Sequence, residues 1–430
     1  PIGRERRASR ADTRMTEHVV QLPSGLTVAV EPMGSTRTVA IGVWVGVGAR
    51  DEPDGLAGVS HFLEHLLFKG TASRSAIDIS RTVDRVGGDI NAYTSKEYTA
   101  YYCRMPARYA AAGVELLGDV VTRPALRDDD VESERQVILE ELAMDDDSPE
   151  DVAHRAFSQQ VFSGHALGRD TAGERETVAG LPAAEVRRFF ADHYRAGNTV
   201  VAVAGAVDVD EVVDAVTAAF EAMPAGDGRV TRTAPPPPGD DLAIVDDTEQ
   251  VHLVMGGRAV ARQDADREAL DVVNHVLGGG LSSRLFDEIR ERRGLAYSVF
   301  SGTSAFADAG AWNVYAGTTP EHAVEVRALV GRELHRLVAE GITDEELDRL
   351  LAEGPTAEEL ERARTVFRAG FIRGIERIGG FGGKADVLAA CETYTDDPGC
   401  YQQVLADIDA ATPAQVQAVA QEWLGKPSHT

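Results

Sequence analysis

The chain has 430 residues, 43% of them hydrophobic, and its 70 acidic against 43 basic residues give a formal net charge of -27. A chain of this length exceeds what a single hydrophobic core usually organises, so we expect two or more domains. A surface this acidic repels nucleic acid and anionic lipid, which argues against either as the main partner. No apolar run in the sequence approaches the length of a membrane span.

The first residues of the chain and the cysteines indicate in which cellular compartment the protein is expected. Residues 1–14 contain five arginines and no apolar segment, so they do not form a secretory signal, and we expect residues 1–15 to be a disordered extension. Cys103, Cys391 and Cys400 show neither zinc-knuckle nor paired-framework spacing. That spacing favours a reducing compartment.

Strand and helix patterns alternate through the first 223 residues. Two apolar runs on either side of a Pro-Ser-Gly turn predict a β-hairpin over 18–30, and a Val-rich run predicts a third strand over 39–47. The Tyr- and Thr-rich residues 89–105 predict a strand pair, and residues 199–207 predict a buried strand. Helices are predicted over 75–86, 107–121, 128–144 and 174–190.

The composition changes at residues 224–243, which contain several glycines and four consecutive prolines. Such a run cannot continue a helix or a central strand and makes a semi-rigid spacer. We therefore predict a linker here, between a first half at residues 16–223 and a second half at residues 244–430.

The second half repeats the first in outline. A strand over 250–256, a helix over 264–277 and a strand pair over 296–318 precede long helices. This order predicts an internal duplication of units of roughly 200 residues each. The helix-start signal of residues 343–347 recurs at residues 356–360, which indicates a short insertion.

One five-residue stretch, HFLEH at residues 61–65, carries the strongest chemical signal. If it is helical, His61 and His65 share a face with Glu64 beside them. Two imidazoles at this spacing can bind one zinc ion, and the carboxylate can take a proton from water activated there. The same pattern also arises by chance, so a metal site requires a third protein ligand elsewhere in the chain.

The helix predicted over 128–144 offers that ligand. Glu134 and Glu141 are seven residues apart and share a face, whereas Glu140 points about 100° away. The second half has other residue types at the matching positions. Asp271, Asn274, His275 and Arg368 stand opposite His61, Glu64, His65 and Glu141. Because an arginine at a ligand position excludes a cation, only the first half is predicted to bind metal.

With these features the sequence resembles the pitrilysin-type zinc peptidases, the family that contains the mitochondrial processing peptidase and insulin-degrading enzyme. The resemblance covers nearly the whole chain from about residue 16. The length of the chain is like that of the small bacterial members and the processing-peptidase beta subunit. The resemblance is carried by HFLEH followed by FKGT, by GGDINAYTSKEYTAYY, ERQVILEE and AGNTVVAVAGAVD, and by GGGLSSRLFDEIRERRGLAYSV in the second half. It implies an α+β fold of two homologous domains, each a mostly antiparallel β-sheet with helices packed on one face.

The resemblance also implies roles for individual residues. His61, His65 and Glu141 would bind one Zn²⁺ per chain, Glu64 would be the general base, and Glu134 would be a carboxylate that steadies the site. Arg290 and Tyr297 resemble a pair that reaches the active site from the non-catalytic domain and binds the substrate. Asn91, Ala92 and Tyr93 resemble an edge strand to which an extended substrate adds. Without the resemblance, an exposed arginine, a core tyrosine and ordinary sheet residues would explain these last five positions.

The expected function is that of a zinc endopeptidase that hydrolyses short or unfolded peptides in a chamber between the two domains. Two alternatives stay open at this point: a processing peptidase that removes targeting leaders, and a catalytically silent partner or assembly subunit of the same fold. The acidic surface suits basic peptides. We expect a homodimer, or a heterodimer with a related subunit, in a bacterial cytoplasm rather than a mitochondrial matrix.

Overall fold

The computed structural model describes residues 18–34, 36–343, 346, 384–395, 400–410 and 412–425. Nine strands in these residues form a six-stranded and a three-stranded sheet. The strands of the first half are β1 (His18–Gln21), β2 (Thr27–Pro32), β3 (Thr38–Val45), β4 (Asp89–Thr94), β5 (Thr99–Pro106) and β6 (Thr199–Gly205). Those of the second half are β7 (Val251–Ala259), β8 (Ala296–Ala305) and β9 (Gly310–Thr318).

The first sheet has the order β1-β2-β6-β3-β5-β4. Its neighbours are antiparallel except for β2 and β6, which pair in parallel. The predicted hairpin is confirmed, since β1 and β2 join through a tight turn at Gly25, where φ is +97°. In the described residues β4 is an edge of the sheet, which leaves one side of its backbone free to pair with another strand.

The α-helices of the first half, apart from the one at Pro149–Val161, pack on one face of this sheet. The α-helices of this half are α1 (Val59–Leu67), α2 (Ala76–Asp84), α3 (Ala110–Thr122), α4 (Asp128–Asp146), α5 (Pro149–Val161), α6 (Arg175–Gly180), α7 (Ala183–His193) and α8 (Val209–Ala219). Branched side chains of the strands, such as Val28, Ile41 and Val201, form one core with the apolar stripes of α1, α3, α4, α7 and α8. This core fixes α1 and α4 relative to each other.

The second sheet has the order β7-β9-β8 and is antiparallel. Its helices are α9 (Arg267–Asn274), α10 (Ala323–Glu340), α11 (Lys384–Thr395), α12 (Cys400–Ala410) and α13 (Pro413–Trp423), with π-helical segments at His275–Gly279 and Phe286–Glu291. Apolar residues of α9, α10 and α13 form a separate core against one face of the sheet.

Each sheet receives a helix of the other half on its second face. The strands of the first sheet present small residues such as Ala29, Ala40 and Ala202 on that face, and Leu388 and Ala389 of α11 pack against them. In return, α5 of the first half packs on the second sheet through a shared apolar cluster that includes Phe157, Val161, Val254 and Tyr315. Small residues on the sheet let a helix approach closely, so this exchange holds the two halves together.

Most predicted elements occur in the structure, with three differences. The helix predicted over 174–190 is two helices, α6 and α7, because Pro182 lacks an amide hydrogen and begins a new helix. The sequence interpretation missed α5 and α8. The helix predicted over 264–277 ends as α-helix at Asn274 and continues as a π-helical segment.

Three sequence predictions fall partly or wholly outside the described residues. They are the extension at 1–15, the segment that carries Arg368, and the second copy of the helix-start signal at 356–360. In the first copy, Thr343 and Glu346 form a reciprocal capping pair: the Thr343 amide donates to the Glu346 carboxylate (2.8 Å), and the Glu346 amide donates to the Thr343 hydroxyl (3.0 Å).

The cysteines differ from the expectation. Cys391 in α11 and Cys400 at the start of α12 form a disulfide, and Cys103 is free and buried. Spacing alone did not indicate this pair, because the packing of two helices brings the thiols together. The cysteine content therefore no longer favours a reducing compartment.

None of the described helices combines the length and the apolar composition needed to cross a bilayer.

Gly58 provides a test of how α1 is anchored. It precedes α1 with φ of +96°, and a Cβ placed there would lie 2.7 Å from the carbonyl oxygen of Ala172. We expect Gly58→Ala to lower the free energy of unfolding by about 3 kcal/mol or more, because left-handed strain and a backbone clash add.

The matched control is Gly87→Ala. Gly87 also has a positive φ, +69°, but a Cβ placed there would meet open space, so strain alone should cost about 1 kcal/mol. Urea unfolding of both variants measures the difference. Equal losses would contradict the close contact between Gly58 and the 172–173 loop.

Candidate active site

Helix α1 has an apolar face and a polar face. Phe62, Leu63, Leu66 and Leu67 are buried in the core of the first half. Three polar side chains of α1, those of His61, Glu64 and His65, are half-buried on the opposite face. This division follows from helical periodicity, since the apolar residues occupy one side and the three polar groups the other.

The start of α1 is held by a buried carboxylate. Glu52 accepts hydrogen bonds from the backbone amides of Gly58 and Ser60, each at 2.7 Å. Burial raises the pKa of Glu52 to about 7, and the two amide hydrogen bonds oppose this rise. A carboxylate at a helix N-terminus also interacts favourably with the helix dipole, so Glu52 fixes the position of the first turn.

Helix α4 brings a third group to the polar face of α1. Nε2 of His61 lies 3.8 Å from Oε2 of Glu141, and Nε2 of His65 lies 3.5 Å from the same oxygen. One ligand atom from each residue lies within 4.8 Å of the other two. In a tetrahedral zinc site, ligand atoms about 2.1 Å from the metal lie about 3.4 Å from each other. The three residues thus have the spacing of atoms that share one ion.

The protonation of His65 follows from its second neighbour. Nδ1 of His65 lies 3.1 Å from Oε2 of Glu134, and a carboxylate oxygen accepts rather than donates, so we assign the ring proton to Nδ1. In the tautomer with the proton on Nδ1, Nε2 carries a lone pair that faces Glu141 at 3.5 Å. A cation between these two acceptors would satisfy both, and this donor set fits zinc.

His61 is also available as a ligand near neutral pH. Burial, followed by the charge of the neighbouring His65, lowers the pKa of His61 to about 4. Metal ligation requires the neutral imidazole, and His61 has this form above that value. Its Nδ1 is buried without a hydrogen-bond partner in the described part of the chain, and its Nε2 points to Glu141.

Glu134 is positioned to orient His65. It lies seven residues, or about two helical turns, before Glu141 on α4. Its side chain is buried, and the residue is only 3% exposed. One carboxylate oxygen faces His65, and the other forms an ion pair with the ammonium group of Lys69. The sequence predicted Glu134 in a supporting position but did not predict Lys69, whose only signal is its location one turn beyond His65.

Glu64 projects beside the three ligand atoms. The hydroxyl of Thr94, at the end of β4, donates a hydrogen bond of 2.6 Å to Oε2 of Glu64. Burial raises the pKa of Glu64, while this hydrogen bond opposes the rise. Thr94 was missed in the sequence, although it lies directly after the predicted substrate strand.

The predicted substrate strand is the edge of the first sheet. Asn91 is exposed, Ala92 is buried and Tyr93 is half-buried. The amide of Ala92 donates to the side-chain oxygen of its own neighbour Asn91, at 2.9 Å. An added strand can replace such a local hydrogen bond, so the edge is suited to peptide pairing.

Arg290 and Tyr297 form a pair within the second half. The guanidinium of Arg290 lies 4.6 Å from the ring centroid of Tyr297 and 4.7 Å from that of Phe286. Tyr297 is 79% exposed. For the described residues, the ring and ion-pair contacts of Arg290 all stay within the second half, so the structure does not bring this pair into contact with the predicted metal ligands.

In the described part of the second half, the positions that match the ligands do not form a metal cluster. Asp271 accepts a hydrogen bond of 2.9 Å from the hydroxyl of Thr303, and the backbone carbonyl of Asn274 accepts one of 2.9 Å from Ser301. Among the described residues, the cluster of His61, His65 and Glu141 is the one group of three or more such side chains with metal-binding geometry. Arg368 lies outside those residues.

A cavity of about 270 Å³ with charged walls of both signs lies next to α5. Its lining contains Asp145, Asp151 and Asp170 as well as Lys96, Arg155 and Arg169. Burial raises the pKa of Asp145, and the charges of Asp170 and Asp151 raise it further. The charge of Asp170 also acts on His61, which places this acidic group near the ligand cluster.

Comparisons with known proteins agree with this picture. The family model of insulinase (peptidase family M16) matches residues 27–175, and that of the peptidase M16 inactive domain matches residues 180–353. A protein of Streptomyces coelicolor named as an uncharacterized zinc protease is 40% identical over 420 residues, which cover 94% of this chain and 86% of that relative. A protein of Bacillus subtilis named in the same way is 35% identical over 320 residues, which cover 74% of this chain and 78% of that relative.

Two solved structures share the fold. A protease from Helicobacter pylori superposes with a TM-score of 0.83 at 24% identity, over 95% of this chain and 97% of that one. A peptidase M16 inactive domain protein from Pseudomonas fluorescens superposes with a TM-score of 0.83 at 19% identity, over 95% of both chains. The predicted α+β fold class is confirmed.

The orientation of His65 by Glu134 gives a test of the metal site. We expect Glu134→Gln to weaken Zn²⁺ binding by about 10-fold to 100-fold, because an amide in place of the carboxylate no longer stabilises the Nδ1 proton. Competition with a chromophoric chelator measures the affinity. Glu140→Gln, an exposed neighbour on the same helix, serves as the control and should bind Zn²⁺ as the wild type does.

Proposed function

Because the chain belongs to the insulinase family of peptidases, family M16, we propose that it is a zinc-dependent endopeptidase that hydrolyses short or unfolded peptides. The observation that carries this proposal is the convergence of His61, His65 and Glu141 beside Glu64. The names of the relatives support zinc as the metal.

The proposed mechanism divides the work between metal ligands and a base. His61, His65 and Glu141 would hold zinc, and its Lewis acidity would activate water at neutral pH and polarise the scissile carbonyl. Glu64 takes a proton from the attacking water and passes it to the leaving amine nitrogen. Since Thr94 donates to Oε2 of Glu64, Oε1 is the oxygen that accepts the proton.

The substrate is proposed to bind as an additional strand. An extended peptide that pairs with β4 would add to the edge of the sheet at Asn91, Ala92 and Tyr93, close to α1. Folded proteins offer few extended segments with unpaired backbone, so short or unfolded peptides suit such an edge. The excess of acidic over basic residues, a formal net charge of -27, supports a preference for basic peptides.

The second half is proposed to contribute Arg290 and Tyr297 to substrate binding. The exposed hydroxyl of Tyr297 would donate to the oxyanion or the substrate backbone, and Arg290 would bind substrate carbonyls. Neither group touches the ligand cluster in the described structure, so this role requires the bound peptide to bridge the halves. A homodimer or a heterodimer, and a cytoplasmic location, stay predictions.

A catalytically silent subunit of the same fold is the alternative. The complete set of three ligands with a base beside them favours the enzyme, because a silent subunit has no need of Glu64. Removal of targeting leaders would be the same chemistry on a narrower set of substrates.

Glu64→Gln tests the proposed base. We expect peptide cleavage to fall by about 100-fold to 10,000-fold, since the amide cannot accept the proton, while one Zn²⁺ per chain still binds. Cleavage of a peptide library read by mass spectrometry, with and without a chelator, gives the activity, and metal analysis gives the stoichiometry. Wild-type rates in this variant would rule out Glu64 as the base. A zinc-loaded wild type that cleaves no peptide would support the silent subunit instead.

Tyr297→Phe tests the contribution of the second half. We expect kcat to fall by roughly 10-fold to 100-fold, because a hydrogen-bond donor to the developing oxyanion is removed, with unchanged zinc binding and stability. Stability should not change because the side chain is exposed and the ring, which Arg290 contacts, is retained. Steady-state kinetics on one peptide separates kcat from KM. An unchanged kcat would leave Tyr297 as an ordinary surface residue.

A further inference from the structure

The turn between β8 and β9 reaches from the second half into the first. The backbone amide of Ala307 in this turn donates to both carboxylate oxygens of Glu97, at 3.0 and 3.1 Å. Beside it, the ring of Phe306 packs edge-on against Phe162 of the first half, with centroids 5.6 Å apart. Glu97 lies in the turn that joins β4 to β5, so one turn holds another across the boundary between the halves.

The buried side chain of Arg50 adds charged hydrogen bonds to this contact between the halves. One guanidinium nitrogen of Arg50 donates to Glu97 and to Asp308, each at 2.7 Å, and the other nitrogen donates to Asp308 at 3.1 Å. The side chains of Arg50 and Glu97 are 2% and 1% exposed, and that of Asp308 is 25% exposed. Charge-assisted hydrogen bonds in such a dry place are strong and directional.

The predicted linker adds a further contact to the same turn. Nη2 of Arg232 donates to the backbone carbonyl of Glu97 at 2.6 Å, and Arg232 pairs with Asp51 through two hydrogen bonds of 2.9 and 2.8 Å. Both the side chain and the backbone of Glu97 are thus held by residues outside the first half.

The turn that is held in this way also carries the hydrogen-bond donor to Glu64. Thr94 lies three residues before Glu97 and donates to Glu64 at 2.6 Å. Between them, the hydroxyl of Ser95 accepts from the amides of Glu97 and Tyr98, at 3.3 and 3.1 Å, and the amide of Ser95 donates to the Tyr98 carbonyl at 2.8 Å. These bonds make the turn stiff, so a displacement of Glu97 moves Thr94.

We propose that Asp308 and the Ala307 amide of the second half are positioning groups for Glu64, which they orient through Arg50, Glu97 and the hydroxyl of Thr94. The inference rests on the proposed function, in which Glu64 is the base. A reacting group displaced by about 1 Å can cost about 100-fold in rate, so a fixed turn at this point matters. The half without metal ligands would then support catalysis by orienting the base as well as by touching the substrate.

A double-mutant cycle between Asp308 and Thr94 tests this route. Thr94→Val, which removes the donor and keeps the shape, should lower kcat by roughly 10-fold to 100-fold with KM within about twofold. Thr94→Ser, which keeps the hydroxyl, should restore most of the rate. Asp308→Ala should lower kcat by about 10-fold, because Arg50 loses its anchor in the second half and then holds Glu97 less firmly.

The decisive variant carries both Asp308→Ala and Thr94→Val. If Asp308 acts through Thr94, the double variant should have the kcat of Thr94→Val alone to within about twofold, because the second change has nothing left to disturb. Losses that multiply would overturn the proposal. So would a wild-type kcat in Asp308→Ala, or a change confined to KM.

Controls separate positioning from general damage. Glu325→Ala removes an acid of the second half that pairs with Arg293 at 3.5 Å on the surface, and it should leave kcat unchanged. Zinc content and thermal melting are measured for every variant, and if Asp308→Ala does not fold, the cycle is run with the milder Asp308→Asn. A wild type without chelator-sensitive cleavage would refute the proposed function, whereas an active wild type with multiplying losses would refute only the positioning route.

Discussion

The central feature of this protein is the convergence of three side chains, His61, His65 and Glu141, on one point. Nε2 of His61 and Nε2 of His65 converge on a carboxylate oxygen of Glu141 at 3.8 and 3.5 Å, distances too long for a good hydrogen bond and right for ligands that share a cation. Without a cation these acceptors repel, so the surrounding structure must hold them in place. The rigid packing of α1 against α4 and the buried carboxylate of Glu52 at the start of α1 do this.

The two halves depend on each other through exchanged helices. Helix α11 of the second half covers the sheet of the first, and α5 of the first half covers the sheet of the second. Neither sheet would have both faces buried if the halves separated. The polar contact of Arg50 with Glu97 and Asp308 lies at the same boundary, so packing and charge pairing act there together.

Both halves pack helices on a sheet, of six strands in the first and three in the second among the described residues, and they differ in chemistry. The second half keeps an antiparallel sheet with helices on one face, but Asp271, at the position that matches His61, is engaged by Thr303. The second half contributes groups other than metal ligands. It presents an exposed aromatic and cationic pair at Tyr297 and Arg290, and a turn that reaches the strand connection next to Glu64.

Local elements and the convergence of His61, His65 and Glu141 could be predicted from the order of residues. Helical periodicity put His61, Glu64 and His65 on one face and set Glu141 apart from Glu140, and apolar runs predicted the hairpin and the strands. Tertiary packing settled which distant segments meet: Thr94 with Glu64, Cys391 with Cys400, α11 with the first sheet, and the β8–β9 turn with Glu97. The physical reason is that periodicity and capping depend on neighbours along the chain. Contacts between segments dozens to hundreds of residues apart depend on how whole faces pack, and a single sequence does not display that.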